Sequence, residues 1–251
     1  MSAPTFETYP DPPAVAAATA DRFLAEGQAA IEQRGRFRVA LSGGSTPKLV
    51  FPLLVSAPRR GQIDWNRVEF FWVDERAVPP DHPESNFGVA YQMLIAPLTG
   101  GPRGVRADAV HRMQAEVADL EAAALAYEGE LRLAFEARGA EPPRFDLICL
   151  GMGPDGHTAS LFPESAALTV VDRWVVANWA PGPAAWRMTL TFPVLDAARL
   201  ALFTVTGADK ADALRGVHSG AALPAGRVRG ERVTWLVDQA AEDAPNATLR
   251  A

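Results

Sequence analysis

The run Phe37-Arg38-Val39-Ala40-Leu41 passes directly into Ser42-Gly43-Gly44-Ser45-Thr46-Pro47, and this juncture constrains the fold more than any other stretch. The first five residues read as a short strand, and the paired glycines allow a tight turn. Pro47 suits the opening turn of a following helix, where its missing N–H costs nothing. Strand, Gly-rich turn and helix in succession begin a parallel α/β unit.

The same grammar recurs along the chain. Val68-Glu69-Phe70-Phe71-Trp72-Val73 is β-branched and aromatic and ends at Asp74-Glu75-Arg76, with a helix expected over 86–95 after a polar loop. A helix is expected over 13–34, and a long amphipathic one over 114–138, where Leu120, Leu125, Leu131 and Phe135 recur among Glu, Ala and Arg. The apolar run 145–150 predicts a buried strand ending in Gly151-Met152-Gly153-Pro154-Asp155-Gly156-His157. Further strands are expected over 174–178, 188–192, 200–206 and 233–237, with a helix over 208–216. No long Gly/Ser linker divides the 251 residues, so one domain spanning 1–251 is expected. In open parallel sheets the ligand crevice lies at the carboxyl ends of the strands. The turns after these runs are therefore expected to meet in one pocket.

Net charge is −6 and the pI about 5.3, which argues against a nucleic-acid partner bound through phosphate contacts. Arg34, Arg36 and Arg38 form the densest basic run and read as a solvated strand edge. The lone Cys149 sits in an apolar run and reads as a small core residue. No signal-peptide pattern opens the chain and no apolar run approaches the length of a membrane span, so a cytoplasmic protein with no membrane partner is expected.

Chemistry concentrates at the turns. Gly43, Gly44, Ser45 and Thr46 offer close-lying N–H groups at a helix start, a setting that holds phosphate, although such a turn also serves simply as a turn. The P-loop spacing is absent. Arg76 could grip a phosphate with its planar fork while an adjacent carboxylate of the triplet holds it in place, or the triplet could be a surface ion pair. His157 can take a proton from water near neutral pH, with Asp155 orienting it if the turn brings the two together, or it can be a structural histidine. His82, His111 and His218 read as surface or structural. Lys210, after another strand, could reach an anion at the same sheet edge. Without His-x-x-x-His or Cys-x-x-Cys spacing, no metal and no cofactor are expected.

These segments together resemble the 6-phosphogluconolactonase family along nearly the whole chain. The matching pieces are Leu41–Pro47, Val73–Arg76, His82 with Ser85-Asn86, Leu150–Pro163, Arg187–Thr191, Gly207–Ala211, Leu223–Ala225 and Trp235–Asp238. Phe87 stands where a Tyr is commoner. The resemblance implies a three-layer α/β/α sandwich with a mostly parallel, Rossmann-like sheet and no nucleotide. It also implies hydrolysis of 6-phospho-D-glucono-1,5-lactone, the second step of the oxidative pentose phosphate pathway. His157 would activate water and Asp155 would tune it. Arg76, Lys210, the Gly43–Thr46 turn and Arg187 would bind phosphate, with Asp74 supporting Arg76. A monomer or weak homodimer is expected.

Two other readings compete. An aminosugar-phosphate deaminase on the same fold would carry Tyr in place of Arg76, and a Glu where this chain has Phe162. A non-catalytic sugar-phosphate sensor would ordinarily carry a DNA-binding domain, and about a dozen residues precede the first expected helix.

Overall fold

The computed structural model describes residues 3–180 and 185–243. Six strands form a wholly parallel sheet: β1 (Thr5–Tyr9), β2 (Phe37–Leu41), β3 (Val68–Trp72), β5 (Leu147–Leu150), β8 (Leu200–Val205) and β9 (Arg232–Asp238). Their order is β1-β9-β8-β5-β2-β3. All six residues of the inner strand β8 are buried, as a strand covered on both faces requires. Phe203 on β8 lies flat on Trp235 of β9, ring centroids 3.8 Å apart. Cys149 sits in β5, where burial pushes its thiol up to about 12.

A second, smaller antiparallel sheet contains β4 (Asp74–Arg76), β7 (Trp186–Leu190) and β6 (Val175–Trp179), in the order β4-β7-β6. The strands expected over 174–178 and 188–192 thus exist, each shifted by one or two residues, but they lie outside the parallel sheet. Val73 makes the transition between sheets. Its N–H donates to the Leu41 carbonyl at 2.9 Å, and its own carbonyl accepts from Leu190 N–H at 2.8 Å.

Helices form where caps and periodicity agree. Helix α1 (Pro12–Arg34) starts at Asp11, whose carboxylate accepts from Ala14 N–H at 2.8 Å, and stops at Gly35, at φ 78°. Helix α2 (Ser45–Val55) follows the first Gly-rich turn and packs against α1. Helix α3 (Asn86–Ala90) continues through a π turn (Tyr91–Ile95) into α4 (Ala96–Leu98), replacing the uniform helix expected there. Helix α5 (Leu120–Ala134) is shorter than the expected 114–138, because Asp119 caps it by accepting from Ala122 N–H at 2.9 Å. It covers β6 and β7. Short helices α6 (Phe192–Ala197), α7 (Ala211–His218) and α8 (Gln239–Asp243) complete the set, and a 3₁₀ turn (Ala208–Lys210) leads into α7. Strand β1 was not foreseen. It lies at the sheet edge, partly exposed, and its alternation is too short and polar to register as a strand.

Candidate active site

The turns after β2, β5 and β8 open onto one cleft of about 220 Å³, a volume suited to a single small molecule. Gly43, Gly44, Ser45, Thr46, Asp74, Arg76, His157, Arg187 and Lys210 all line it. Asp155 stands behind the imidazole instead of in the wall.

The His157 segment is shaped by its glycines. Gly156 N–H donates to the Gly153 carbonyl at 3.0 Å, and Gly153 N–H donates to the His157 carbonyl at 2.9 Å, closing a tight loop. Gly156 adopts φ +80°, which glycine tolerates without strain. A Cβ on Gly153 would fall 2.1 Å from His157 Nδ1, so only glycine leaves room for the ring. The loop brings Asp155 Oδ1 to 2.6 Å from His157 Nδ1, with the His157 N–H also donating to it at 3.1 Å. A carboxylate at Nδ1 favours the tautomer carrying its proton there and leaves Nε2 with a lone pair. The opposite ring face rests on Phe162, centroids 4.1 Å apart and planes at 29°.

The two arginines of the cleft come from the small sheet, and Lys210 comes from the 3₁₀ turn after β8. Arg76 and Arg187 are register partners across β4 and β7. Neither forms an ion pair among the described residues, and the Nε of each is buried without a hydrogen-bond partner. Burial, and then the neighbouring Arg76 charge, lower the Arg187 guanidinium from its usual range. Two guanidiniums side by side with open donors form a ready receptor for an anion. Arg76 is held through Nη1, which donates to the Glu84 carbonyl at 2.6 Å. Lys210 Nζ lies 2.8 Å from Asp209 Oδ2.

Asp74 does not support Arg76 as expected. Its buried carboxylate accepts from Ser160 Oγ at 2.7 Å and from Asn86 Nδ2 at 3.3 Å, and no ion pair with Arg76 forms. The neighbouring Glu75 does more structural work than the sequence suggested. It accepts from the N–H groups of Arg76, Asn86 and Phe87 and from Ser85 Oγ, all within 3.1 Å. It thereby ties β4 to the start of α3. Burial pushes its carboxyl above the usual range, and those N–H donors oppose the shift.

Close packing leaves no room for a side chain at Gly43. Asn86 Oδ1 would lie 1.8 Å from a Cβ there, so the first turn and α3 pack backbone to side chain. Gly44, at φ 110°, begins α2 with no side-chain cap, leaving the first-turn N–H groups of that helix for another acceptor. Thr46 Oγ1 meets Thr206 Oγ1 at 3.2 Å, joining the ends of β2 and β8.

Asn86, Ser160 and Phe162 were the contributors that sequence reasoning did not assign. Ser85-Asn86 and the 150–163 segment had been noted, but a partner across 12 or 86 residues carries no local signal. The remaining histidines are structural: His111 stacks on Phe71 and meets Glu130, and His218 pairs with Glu242. His82 Nδ1 accepts from Glu84 N–H. Phe87 packs edge-on against Trp72, needing no hydroxyl there. Among the described residues no helix is long and apolar enough to cross a membrane, and no three His, Cys, Asp or Glu gather as a metal-ligating group.

Known proteins resemble this chain over nearly its whole length. The chain is 36% identical over 243 residues to a 6-phosphogluconolactonase of a Nostoc species, covering 94% of this chain and 96% of that one. A 6-phosphogluconolactonase of Streptomyces coelicolor is 37% identical over 248 residues, covering 95% and 93%. The structure of 6-phosphogluconolactonase from Trypanosoma cruzi superposes with a TM-score of 0.84 at 30% identity, covering 98% of this chain and 99% of that one. Residues 10–235 match the family model for glucosamine-6-phosphate isomerases and 6-phosphogluconolactonases, and the chain belongs to that family.

Proposed function

We propose that this protein hydrolyses 6-phospho-D-glucono-1,5-lactone to 6-phospho-D-gluconate. The observation that carries the reading is that an Asp155-held His157 shares one cleft with Arg76, Arg187 and Lys210. The cleft thus joins a group that can take a proton to cations that can hold a dianion.

His157 Nε2 accepts a proton from water as the water oxygen attacks the lactone C1. The C1 carbonyl becomes a tetrahedral oxyanion, and its collapse breaks the bond from C1 to the ring oxygen. The imidazolium returns its proton to that oxygen, which becomes the C5 hydroxyl. The new carboxylic acid then ionises to the solvent. Asp155 supports the imidazolium that forms between the two proton transfers. A lactone is an activated ester, so one base and a fixed geometry suffice without a covalent intermediate. Arg76, Arg187, Lys210 and the open N–H groups at the start of α2 bind the phosphate, whose binding energy sets the carbonyl against the water.

Phe162 favours hydrolysis over deamination on this fold. Position 162 places an apolar ring on the imidazole where the deaminase reading needs a Glu. On the same reading, residues 1–251 act as one domain in the cytosol, as a monomer or weak homodimer, on a small sugar-phosphate lactone.

The test is hydrolysis of freshly generated 6-phosphogluconolactone, measured against the spontaneous reaction with and without a chelator. A rate well above background that chelation leaves unchanged is expected. A rate equal to background would overturn the reading, and loss on chelation would overturn a mechanism run by His157 alone.

A further inference from the structure

We propose that a second anion site, for the phosphoryl group of a small phosphorylated molecule, lies in the arginine-lined cavity at the amino ends of β2, β5 and β8. The active-site cleft uses the carboxyl ends of the same three strands. A five-residue strand at about 3.3 Å per residue sets the two sites roughly 16 Å apart. The inference does not depend on the activity assigned to that cleft.

The cavity, of about 570 Å³, is lined by six arginines (Arg34, Arg36, Arg38, Arg138, Arg144 and Arg199) and three carboxylates. On a chain with net charge −6 this is a local inversion of sign. Several of these charges are already paired. Glu69 takes Arg38 at 2.8 Å and Arg36 at 3.5 Å, and Arg144 meets Glu231. The Asp146 carboxylate, buried at the cavity wall, accepts from Arg34 Nε at 2.8 Å and from Arg38 N–H at 2.9 Å. Glu136 and Glu141 also line the cavity, so a bound anion must compete with them.

Arg199 tips the balance. Its Nε lies 3.4 Å from the same Asp146 oxygen, within ion-pair distance but out of line for a hydrogen bond, and it is buried without one. Among the described arginines, only Arg76, Arg187 and Arg199 have a buried Nε left open in this way. Burial, and then the Arg144 and Arg34 charges, lower the Arg199 guanidinium, as burial and Arg76 lower Arg187. Crowded guanidiniums with an unmet donor mark the substrate cleft. The same signature at the opposite end of the sheet assigns the second cavity to an anion. A phosphoryl group, with several acceptor oxygens and about two charges, matches a forked donor set better than a single carboxylate does.

The experiment is calorimetric titration of the full chain with inorganic pyrophosphate at low salt, with thermal melts to check that each variant is folded. Wild type is expected to bind two equivalents. R76Q/R187Q is expected to retain one, and R199Q and R36Q each to lose the other, weakening it at least tenfold. Arg36 is largely exposed, so R36Q tests the site even where R199Q disturbs packing. Lactone hydrolysis by R199Q and R36Q should match wild type. A single wild-type equivalent that R76Q/R187Q abolishes would overturn the proposal, as would two equivalents that R199Q and R36Q leave unweakened.

Discussion

The imidazole of His157 is fixed on three sides: Asp155 holds Nδ1, Phe162 lies under one face, and Gly153 leaves the space that any side chain would fill. Arg187 lies over the far side of the arrangement, its Cζ 5.6 Å from the Phe162 ring, and Arg76 and Lys210 line the same cleft. The proposed function divides these residues between chemistry and binding, and the division is measurable. His157→Ala should lower kcat by about 10²–10⁴, the usual worth of a positioned general base, with little change in KM. Lys210→Ala should chiefly raise KM. Steady-state kinetics on the lactone separate the two, and a His157→Ala enzyme with near-normal kcat would show that the base is another group. The loop that carries His157 was legible because glycines and a proline at a strand end are rare and local. Asp74 was misread for the opposite reason. Residues two apart on a strand share a face, which makes Arg76 the local partner to expect, but the Asp74 carboxylate reaches Asn86 and Ser160, 12 and 86 residues away, instead.

At the level of elements, every parallel strand but β1 announced itself through an apolar run, while the helix that covers the small sheet was overextended. The apolar spacing over 114–138 continues past the real ends of α5, and Asp119 decides where it begins. What holds α5 to its sheet is Glu128. Its carboxylate accepts from Trp174 N–H at 2.9 Å, Arg132 Nη2 at 3.0 Å and Arg173 Nε at 3.2 Å. Burial would raise this group, but those three donors outweigh it and hold the carboxyl below its ordinary value of 4.5. A depressed carboxyl contributes stability that is complete above the unfolded pKa and disappears as pH falls through the folded one. Urea unfolding of wild type should therefore weaken from pH 7 down past pH 4 more steeply than that of Glu128→Gln. At pH 7, Glu128→Ala should lose about 1–3 kcal/mol. The figure stays well below that for a fully buried pair because Arg132 and Arg173 are partly solvated and can rehydrate. Parallel pH profiles for wild type and Glu128→Gln would remove Glu128 from this role.

For the molecule as a whole, the sequence revealed that turns far apart along the chain would converge, because parallel strands all point their carboxyl ends the same way. It could not reveal that Val73 carries the chain from one sheet into another, which is what sets Arg76 and Arg187 side by side over the cleft. That placement leaves an imprint on stability. Two guanidiniums with open, buried donors repel each other, a repulsion that the Asp74, Glu84 and Glu75 charges offset only in part and that a bound anion would offset further. A ligand that binds the folded chain alone stabilises it by RT ln(1 + [L]/Kd), about 2.7 kcal/mol at a hundredfold excess over Kd. For a chain of this size each kcal/mol is worth about 2–4 °C in Tm. Saturating 6-phosphogluconate should therefore raise Tm by about 5–10 °C in wild type. The shift should shrink sharply in R76Q/R187Q, whose ligand-free Tm should equal or exceed that of wild type because the repulsion is gone. A ligand-induced shift of full size in R76Q/R187Q would place the phosphate elsewhere. A ligand-free Tm well below wild type would mean that the paired arginines stabilise the fold and are not a strained receptor held open for substrate.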